Sequence, residues 1–394
     1  MRSALALVIA AGSAAAIAIA CSDDPRVEPS LDAGPGASEP IDAGGPDVEA
    51  DVPVVPKGAR VVGVATDVAS FDFVADVQLA LDAGARTTNL RFAWDEIERP
   101  FDAGADASDD AGDADGGSQL ALFQPALHIA NLVYEGFGSQ VVLAVDAVDG
   151  SGPRAPVDLQ SRAIDDAELG ARFDKLTDYA LDQTRDTKLT AFLVASAVDV
   201  PLGDDVAKHA AFTTFFTRAA AHARTVKPGL VVGFGVTAEG LVARKDRLAG
   251  ALAAADVVAV SYLGADAAGT AKRPSDVAAD IDRIVAAAPA GKPVFLHEAG
   301  FPSATAAGSD EATQALLVTA LFRAWDRHAE RIPVLSFREL DDATATATAA
   351  LARREGRSDP PFAAVVGSLG LRDSTRRRKP SFDVFVGELR ARGF

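Results

Sequence analysis

Eight short apolar runs, separated by longer stretches with helical spacing, are the feature that most restricts the fold of this chain. The runs are rich in β-branched residues, which is typical of strands buried on both faces. They occupy residues 61–65, 87–92, 141–145, 189–194, 230–234, 257–262, 293–296 and 334–337. Gly84 follows one helical stretch, and Ser275 and Ser309 stand at the predicted starts of two others.

Strands that alternate with helices require parallel pairing through crossover connections. Eight such units between residues 58 and 394 predict an α/β fold, a (β/α)8 TIM barrel. The competing architecture is a doubly wound open sheet, which would carry a glycine-rich phosphate-binding turn after an early strand. The run at 61–65 is followed by Thr66-Asp67-Val68 instead. We therefore predict the barrel.

The N-terminal 21 residues have the layout of an export signal. Arg2 precedes an apolar run at 4–20, and small residues lead to Cys21, the only cysteine. This arrangement resembles the bacterial lipoprotein signal, in which the cysteine is acylated and becomes the first residue of the mature chain. An uncleaved anchor or a plain secretory signal are the alternatives. Because Ser22 rather than Asp follows the cysteine, the resemblance implies an extracytoplasmic, lipid-anchored protein at the outer membrane or cell surface.

Two acidic segments lack any periodicity of apolar residues. Residues 22–57 contain nine acidic and two basic side chains, which predicts a disordered tether. The tripeptide Asp-Ala-Gly occurs in this segment and again in residues 100–118, which we interpret as a disordered loop insertion with a binding lid as the alternative. The predicted organisation is a signal at 1–21, a tether at 22–57 and a barrel at 58–394.

Composition excludes several kinds of chemistry. With 56 acidic and 38 basic residues the formal charge is −18, so nucleic acid is not an expected partner. One cysteine allows neither an internal disulfide nor a cysteine-based zinc site. The five histidines form no His-x-His or His-Glu-x-x-His motif, and Gly-x-Ser-x-Gly is absent from the sequence. We expect no metal and no cofactor, which leaves carboxylate chemistry.

In a barrel, reactive groups emerge at the C-terminal ends of the strands. Those positions are mostly acidic, with two aromatic rings among them. They are Arg91, Trp94, Asp95 and Glu96 after the second run, Asp146 and Asp149 after the third, Ala197 and Asp199 after the fourth, Tyr262 after the sixth, His297 and Glu298 after the seventh, and Arg338, Glu339, Asp341 and Asp342 after the eighth.

Several of these segments resemble clan A glycoside hydrolases, in the same order along the chain. The main one is Gly-Lys-Pro-Val-Phe-Leu-His-Glu-Ala-Gly-Phe-Pro-Ser at 291–303, and weaker ones lie at 91–98, 156–159, 261–262, 367–373 and 379–380. The resemblance implies a retaining glycosidase with Glu298 as its nucleophile, held and oriented by Arg91 and Tyr262. Such enzymes use one carboxylate to attack the sugar and one carboxylic acid to protonate the leaving oxygen. The alternative for Glu298 is a structural ion pair with Arg91.

The fourth strand departs from the family pattern. The family ends this strand with Asn-Glu, whose Glu is the acid/base, and the aligned residues here are Ser196-Ala197. A methyl group donates no proton, so hydrolysis of an ordinary glycoside should be slow or absent. Asp199 is a candidate substitute because residues two apart on a strand point to the same side. An acid from Asp146, Asp149 or a loop is a further alternative.

The remaining site predictions concern substrate binding. Trp94 is a candidate stacking platform or a core residue, and Trp325 is predicted to be core. Asp146, Ser196 and His297 complete the predicted binding residues. We expect an extracytoplasmic protein that binds carbohydrate or retains residual glycosidase activity. The rival interpretation is a non-enzymatic cell-surface platform for interactions with other molecules.

Overall fold

The computed structural model describes residues 53–100 and 120–394, and its strands form a closed barrel of eight parallel strands. The strand order around the barrel follows the chain, and the first strand pairs with the last. The strands are β1 (Val61–Val64), β2 (Thr87–Ala93), β3 (Gln140–Asp146), β4 (Lys188–Leu193), β5 (Val232–Thr237), β6 (Val257–Tyr262), β7 (Val294–Ala299) and β8 (Val334–Phe337). Each overlaps one predicted run, so the predicted TIM barrel is confirmed.

Three sequence predictions lie outside the described residues. They are the signal with Cys21, the tether up to residue 52, and the loop insertion from residue 101 to residue 118. Within the described residues, no helix combines the length and hydropathy needed to cross a membrane.

The barrel strands are apolar on both faces because each face packs against a different layer. One buried cluster, which includes Val142, Leu193 and Ala259, takes alternate residues of β3, β4, β6, β7 and β8 and fills the barrel interior. The other cluster joins the outward strand residues to the surrounding helices. This two-sided burial explains why the runs are continuous rather than alternating in hydrophobicity.

Helices follow the strands and cover the outside of the barrel. In chain order they are α1 (Phe73–Ala83), α2 (Trp94–Ile97), α3 (Pro125–Phe137), α4 (Ala167–Gln183), α5 (Asp199–Leu202), α6 (Val206–Val226), α7 (Ala238–Ala254), α8 (Pro274–Ala287), α9 (Glu311–Arg327), α10 (Ala345–Arg354), α11 (Pro360–Gly367) and α12 (Pro380–Ala391). Gly84 ends α1 in the left-handed conformation, as predicted.

The two predicted N-caps are each displaced. The cap of α8 is Arg273, followed by Pro274 at the first helical position, and Ser275 lies inside the first turn. The cap of α9 is Asp310, whose carboxylate accepts a hydrogen bond from the Thr313 amide at 2.6 Å, so Ser309 precedes the cap. A carboxylate one residue later meets the orphan amides directly, which explains the displacement of the α9 cap.

The segment with α10 and α11, residues 345–367, lies across the C-terminal end of the barrel and is called the cap below. Arg354 approaches Asp149, which follows β3, at 3.9 Å. Arg357 donates to the carbonyl of Ala267, which follows β6, at 3.0 Å. The cap therefore joins loops from different parts of the barrel mouth, and its residue Glu355 is buried there.

Candidate active site

Glu298 lies near the C-terminal end of β7 and is 5% exposed. Its Oε2 accepts a hydrogen bond from the Ser261 hydroxyl at 2.8 Å. Two guanidinium groups flank the carboxylate, with Arg91 Nη1 3.5 Å from Oε1 and Arg338 Nη1 3.5 Å from Oε2. A buried carboxylate needs this kind of compensation, because burial alone disfavours the charged form.

Arg91 is held by three carboxyl groups. Its Nε donates to Asp146 Oδ2 at 2.6 Å and its Nη1 to Glu355 Oε1 at 3.1 Å, in addition to the contact with Glu298. Asp146 is itself fixed by the Ser196 hydroxyl, which donates to its Oδ1 at 2.8 Å. Asp146 and Ser196 are both fully buried, so here they position Arg91 and do not line an open binding surface.

Arg338, which follows β8, contacts three carboxyl groups, those of Glu298, Glu355 and Glu339. Its backbone amide donates to the carbonyl of Ala299 at 2.8 Å, which continues the pairing of β8 with β7 and brings the side chain beside Glu298. Its Nη2 donates to Glu355 Oε1 at 2.9 Å, and its Nε lies 3.7 Å from Glu339 Oε1. Glu298 and Glu355 therefore share the same two guanidinium groups.

The electrostatic environment gives two carboxyl groups of this site very different pKa values. Burial raises the pKa of Glu298, but Arg338 and Arg91 outweigh it and hold that pKa well below its usual range, so Glu298 is ionised. Burial raises the pKa of Glu339 to about 7, the neighbouring charges of Glu298 and Asp67 act in the same direction, and Arg338 opposes them. Around neutral pH, one group is a carboxylate and the other is partly protonated.

His297 lies beside Glu298 but faces a buried environment, with 2% exposure. Its Nε2 is 4.0 Å from Glu298 Oε1, and within the described residues neither ring nitrogen has a hydrogen-bond partner. Burial lowers the pKa of His297, which favours the neutral ring. The predicted substrate-binding residue is thus adjacent to the nucleophile position without being at the surface.

The structure corrects the expected role of Tyr262. Its hydroxyl donates to Asp280 Oδ2 of α8 at 2.8 Å, and Lys272 lies over its ring. Successive strand residues point to opposite faces, so Ser261 points to Glu298 while Tyr262 points to the helical layer. A hydroxyl does hold Glu298, but it is that of Ser261 and not that of Tyr262.

Asp199 is also placed differently from its prediction. Its two oxygens accept from the Thr237 amide and the Thr237 hydroxyl, each at 2.7 Å, and it is 2% exposed. The prediction assumed an extended strand, but β4 ends at Leu193 and Ala197 has φ 48°. Because the chain turns there, Asp199 begins α5 and supports the start of α7. The substitute-acid role is therefore not supported by the geometry.

Trp94 is a core residue and not a stacking platform. It has 0% exposure, packs edge-to-face against Phe173 at 5.3 Å, and donates from its ring nitrogen to Glu98 at 2.7 Å. The other tryptophan, Trp325, is fully buried as predicted. In both cases the ring supplies apolar packing and its single polar atom finds an internal partner.

Sequence reasoning gave no role to three residues that contact Glu298 or its arginines, namely Ser261, Arg338 and Glu355. Strand-end position had marked Arg338 and Glu339 as candidates, and Ser261 lay in a segment that resembles the glycoside hydrolases. Glu355 lies in the cap and not at the end of a strand, so strand-end position could not have identified it. Within the described residues, no group of three His, Cys, Asp or Glu side chains is arranged to hold a metal ion.

Fold and site together define a class of protein: a (β/α)8 barrel with an ionised glutamate and two arginines at its C-terminal mouth. Solved structures to which this barrel is similar include glycoside hydrolases. They include an exo-β-1,4-mannosidase, Op5Man5, from Opitutaceae bacterium strain TAV5, with a TM-score of 0.60 and 16% sequence identity. The alignment covers 84% of this chain and 59% of the mannosidase.

Two further similar structures belong to the glycoside hydrolase subfamily GH5_18. The enzyme from Bifidobacterium longum subsp. longum has a TM-score of 0.62 and 13% identity, covering 84% of this chain and 78% of that one. The one from Streptomyces cattleya, in complex with GlcNAc, has a TM-score of 0.61 and 16% identity, covering 84% and 80%. A variant of the latter is in complex with Manβ1-4GlcNAc.

Neither a protein-family model nor a curated protein sequence matches the chain. Identities of 13–16% with the solved structures show the fold. The glycoside-hydrolase-like barrel inferred from the sequence is thereby confirmed at the level of architecture.

Proposed function

We propose that this chain is an extracytoplasmic carbohydrate-active protein on a retaining-glycosidase framework, with Glu298 as the nucleophile. The observation that carries the proposal is the pairing of a buried, ionised Glu298 with Arg91 and Arg338 at the end of β7. An ionised carboxylate at a barrel mouth is the group that a retaining mechanism needs for attack on the sugar.

The chemistry would proceed through a covalent intermediate. A Glu298 oxygen forms a bond to the anomeric carbon, and the bond from that carbon to the leaving oxygen breaks with its electron pair going to the leaving group. Water then attacks the same carbon, the bond from that carbon to Glu298 breaks to release the carboxylate, and one proton of the water passes to solvent. Arg91 and Arg338 keep Glu298 ionised before attack, and Ser261 fixes its orientation.

The substrate class follows from the framework and from similar structures. A β-linked glycoside is the proposed partner, in keeping with a β-1,4-mannosidase and a Manβ1-4GlcNAc complex among the structures that share the barrel. The β4 end has Ala197 where the family has its acid/base, so that wall offers no proton donor. Turnover is then confined to good leaving groups unless another carboxyl group supplies the proton.

The test uses 2,4-dinitrophenyl β-glycosides of several sugars, whose leaving group needs no proton. We expect release of dinitrophenolate, a glycosyl adduct in the mass spectrum of the intact protein, and faster release of the adduct with azide. Glu298→Gln should abolish all three, whereas Glu135→Gln, the same change at an exposed position of α3, should not. Absence of an adduct across the sugar panel would contradict nucleophilic attack by Glu298.

One observation favours the rival function, a non-enzymatic surface platform. Glu355 of the cap bonds both arginines that hold Glu298, and it is 5% exposed. A permanently filled mouth would exclude a sugar. The platform function predicts that the wild type and Glu355→Ala are both inert towards every activated glycoside, although both still unfold cooperatively. An adduct in either protein would exclude it.

The proposal includes a lipid anchor at Cys21 that holds the protein at the outer membrane or cell surface. It rests on the apolar segment before the only cysteine in the sequence. The experiment is expression of the full chain in a bacterium, followed by detergent phase partition. We expect the wild type in the detergent phase and Cys21→Ser in the aqueous phase or retained as precursor, with Ser22→Ala as control. Wild type in the aqueous phase would contradict the anchor.

A further inference from the structure

Four carboxyl groups surround the two guanidinium groups at the barrel mouth, and they differ in their access to solvent. The side chains of Asp146, Glu355 and Glu298 are 0%, 4% and 7% exposed, whereas that of Glu339 is 30% exposed. A group that exchanges protons with a leaving group and with water needs such access. Among these four, Glu339 is the one that has it.

The four groups also differ in how firmly their oxygens are bound. Asp146 accepts from Arg91 and from Ser196 at 2.6 and 2.8 Å, and Glu355 Oε1 accepts from both guanidinium groups at 3.1 and 2.9 Å. Glu339 approaches Arg338 at 3.7 Å, which is too long for a strong hydrogen bond. Of the four carboxyl groups, that of Glu339 therefore has the weakest hydrogen bonding.

Glu339 and Glu298 are linked through one residue. Arg338 contacts Glu298 through Nη1 at 3.5 Å and Glu339 through Nε at 3.7 Å. The two carboxyl groups thus contact different nitrogens of one guanidinium group, and the charge of Glu298 acts on Glu339. Consistent with this, burial, Glu298 and Asp67 together raise the pKa of Glu339 to about 7, while the pKa of Glu298 is well below its usual range. Carboxyl groups driven apart in this way typify an acid and nucleophile pair.

We propose that Glu339 is the relocated acid/base of this site, taking the role that the β4 wall does not supply. The inference rests on the proposed function of Glu298. As Glu298 attacks the anomeric carbon, the proton of Glu339 passes to the departing oxygen. In the second step, a water gives its proton to the Glu339 carboxylate, its oxygen bonds to the anomeric carbon, and Glu298 leaves as a carboxylate.

The two steps need opposite protonation states of Glu339, and the site supplies the change. When Glu298 becomes an ester it loses its negative charge, which is one of the causes that raise the pKa of Glu339. That pKa then falls, so Glu339 stays ionised after donating its proton and is ready to act as base.

The experiment compares Glu339→Gln with wild type across aryl β-glycosides of decreasing leaving-group acidity. We expect a loss of kcat/KM of about 10²- to 10⁴-fold for the poorest leaving group and little change for 2,4-dinitrophenyl. The fall in wild-type rate as pH rises through about 7 should disappear in the variant. Azide should speed release of the adduct from Glu339→Gln by a larger factor than from the wild type and give a β-glycosyl azide. Glu135→Gln, the same change at an exposed position of α3, is the control.

The outcomes separate this inference from the proposed function. An adduct on Glu298 with a loss in Glu339→Gln that is the same for every leaving group would overturn the role of Glu339 and leave Glu298 as nucleophile. A second measurement needs no turnover: the carboxyl carbon of Glu339, labelled with ¹³C, should titrate near 7 in wild type and lower in Glu298→Gln. Titration of Glu339 at the ordinary value of a glutamate would also overturn the inference.

Discussion

The ends of β7 and β4 lie at the same mouth of the barrel but are built in different ways. β7 stays extended to Ala299 and presents Glu298 to two guanidinium groups. β4 stops at Leu193, and the chain passes through Ala197 with φ 48° before α5 begins. The β7 end holds a buried carboxylate flanked by two cations, whereas the polar side chains at the β4 end make internal hydrogen bonds.

This difference teaches where chemistry can persist in such a barrel. At the β4 end, Ser196 supports Asp146 and Asp199 supports Thr237, so both polar side chains have structural partners. At the β7 end, Arg91 and Arg338 flank Glu298 and keep its carboxylate ionised. If the usual acid/base is absent from the β4 end, as we propose, Glu298 can still act as the proposed nucleophile, provided another carboxyl group supplies the proton.

The largest expected effect comes from removing the cation that connects the two ends. Arg91→Met leaves Asp146, Glu298 and Glu355 short of a counter-charge, and breaking a buried pair of this kind costs about 3–5 kcal/mol. Urea unfolding of the purified protein measures the change in free energy of unfolding. Ser196→Ala, which removes one hydrogen bond to Asp146, should cost about 1–3 kcal/mol. Equal losses of unfolding free energy in Arg91→Met and Ser196→Ala would contradict the difference between the β7 and β4 ends.

Asp199→Ala tests whether the β4 end is structural. It leaves the Thr237 amide and hydroxyl without their acceptor at the start of α7, which should cost about 1–3 kcal/mol in unfolding free energy. Turnover of 2,4-dinitrophenyl glycosides, measured on the folded variant, should stay within about twofold of wild type. Asp199→Asn keeps one acceptor and should lose less stability. A leaving-group-dependent loss of rate in Asp199→Asn would instead make Asp199 the acid.

The free energy of unfolding should also depend on pH through Glu339, which lies beside Arg338. Because its pKa in the folded state is raised to about 7, the folded state binds this proton more tightly than the unfolded state does. That stabilisation is present below the unfolded pKa and is lost as pH rises through about 7. Glu339→Gln should therefore gain on wild type between pH 5 and pH 8, by on the order of 1 kcal/mol after solvent screening. Thermal unfolding of both proteins measures this gain, and parallel curves would contradict it.

The smallest expected effect concerns the turn at the β4 end. Ala197 holds a left-handed backbone, which glycine adopts without steric cost. Ala197→Gly should stabilise the protein by about 0.5–1 kcal/mol, less the packing lost with a buried methyl group. The melting temperature checks this against Ala195→Gly, a buried neighbour without positive φ, which should destabilise. For the same reason, Ala197→Glu should lose stability and restore no hydrolysis.

Local pattern determined the barrel and placed Glu298 and Arg91 at strand ends. Eight apolar runs with helical stretches between them leave few ways to bury every strand, so each observed strand overlaps a predicted one. These predictions needed only distances along the chain. The pairing of Glu298 with Arg91 and the nucleophile role of Glu298 came from the resemblance to clan A glycoside hydrolases.

Other features were decided only by tertiary structure. In the structure Tyr262 bonds Asp280, Asp199 bonds Thr237, and Trp94 lies in the core. The direction of each side chain depends on the exact residue at which a strand ends. A shift of one residue exchanges the two faces of a strand, and strand ends are not encoded by periodicity. Glu355 met Arg91 across 264 residues of sequence, a contact created by packing of the cap. The sequence by itself determined which carboxylate stands at the rim, and tertiary packing decided which charges surround it, because those charges come from strands and loops that only the closed barrel brings together.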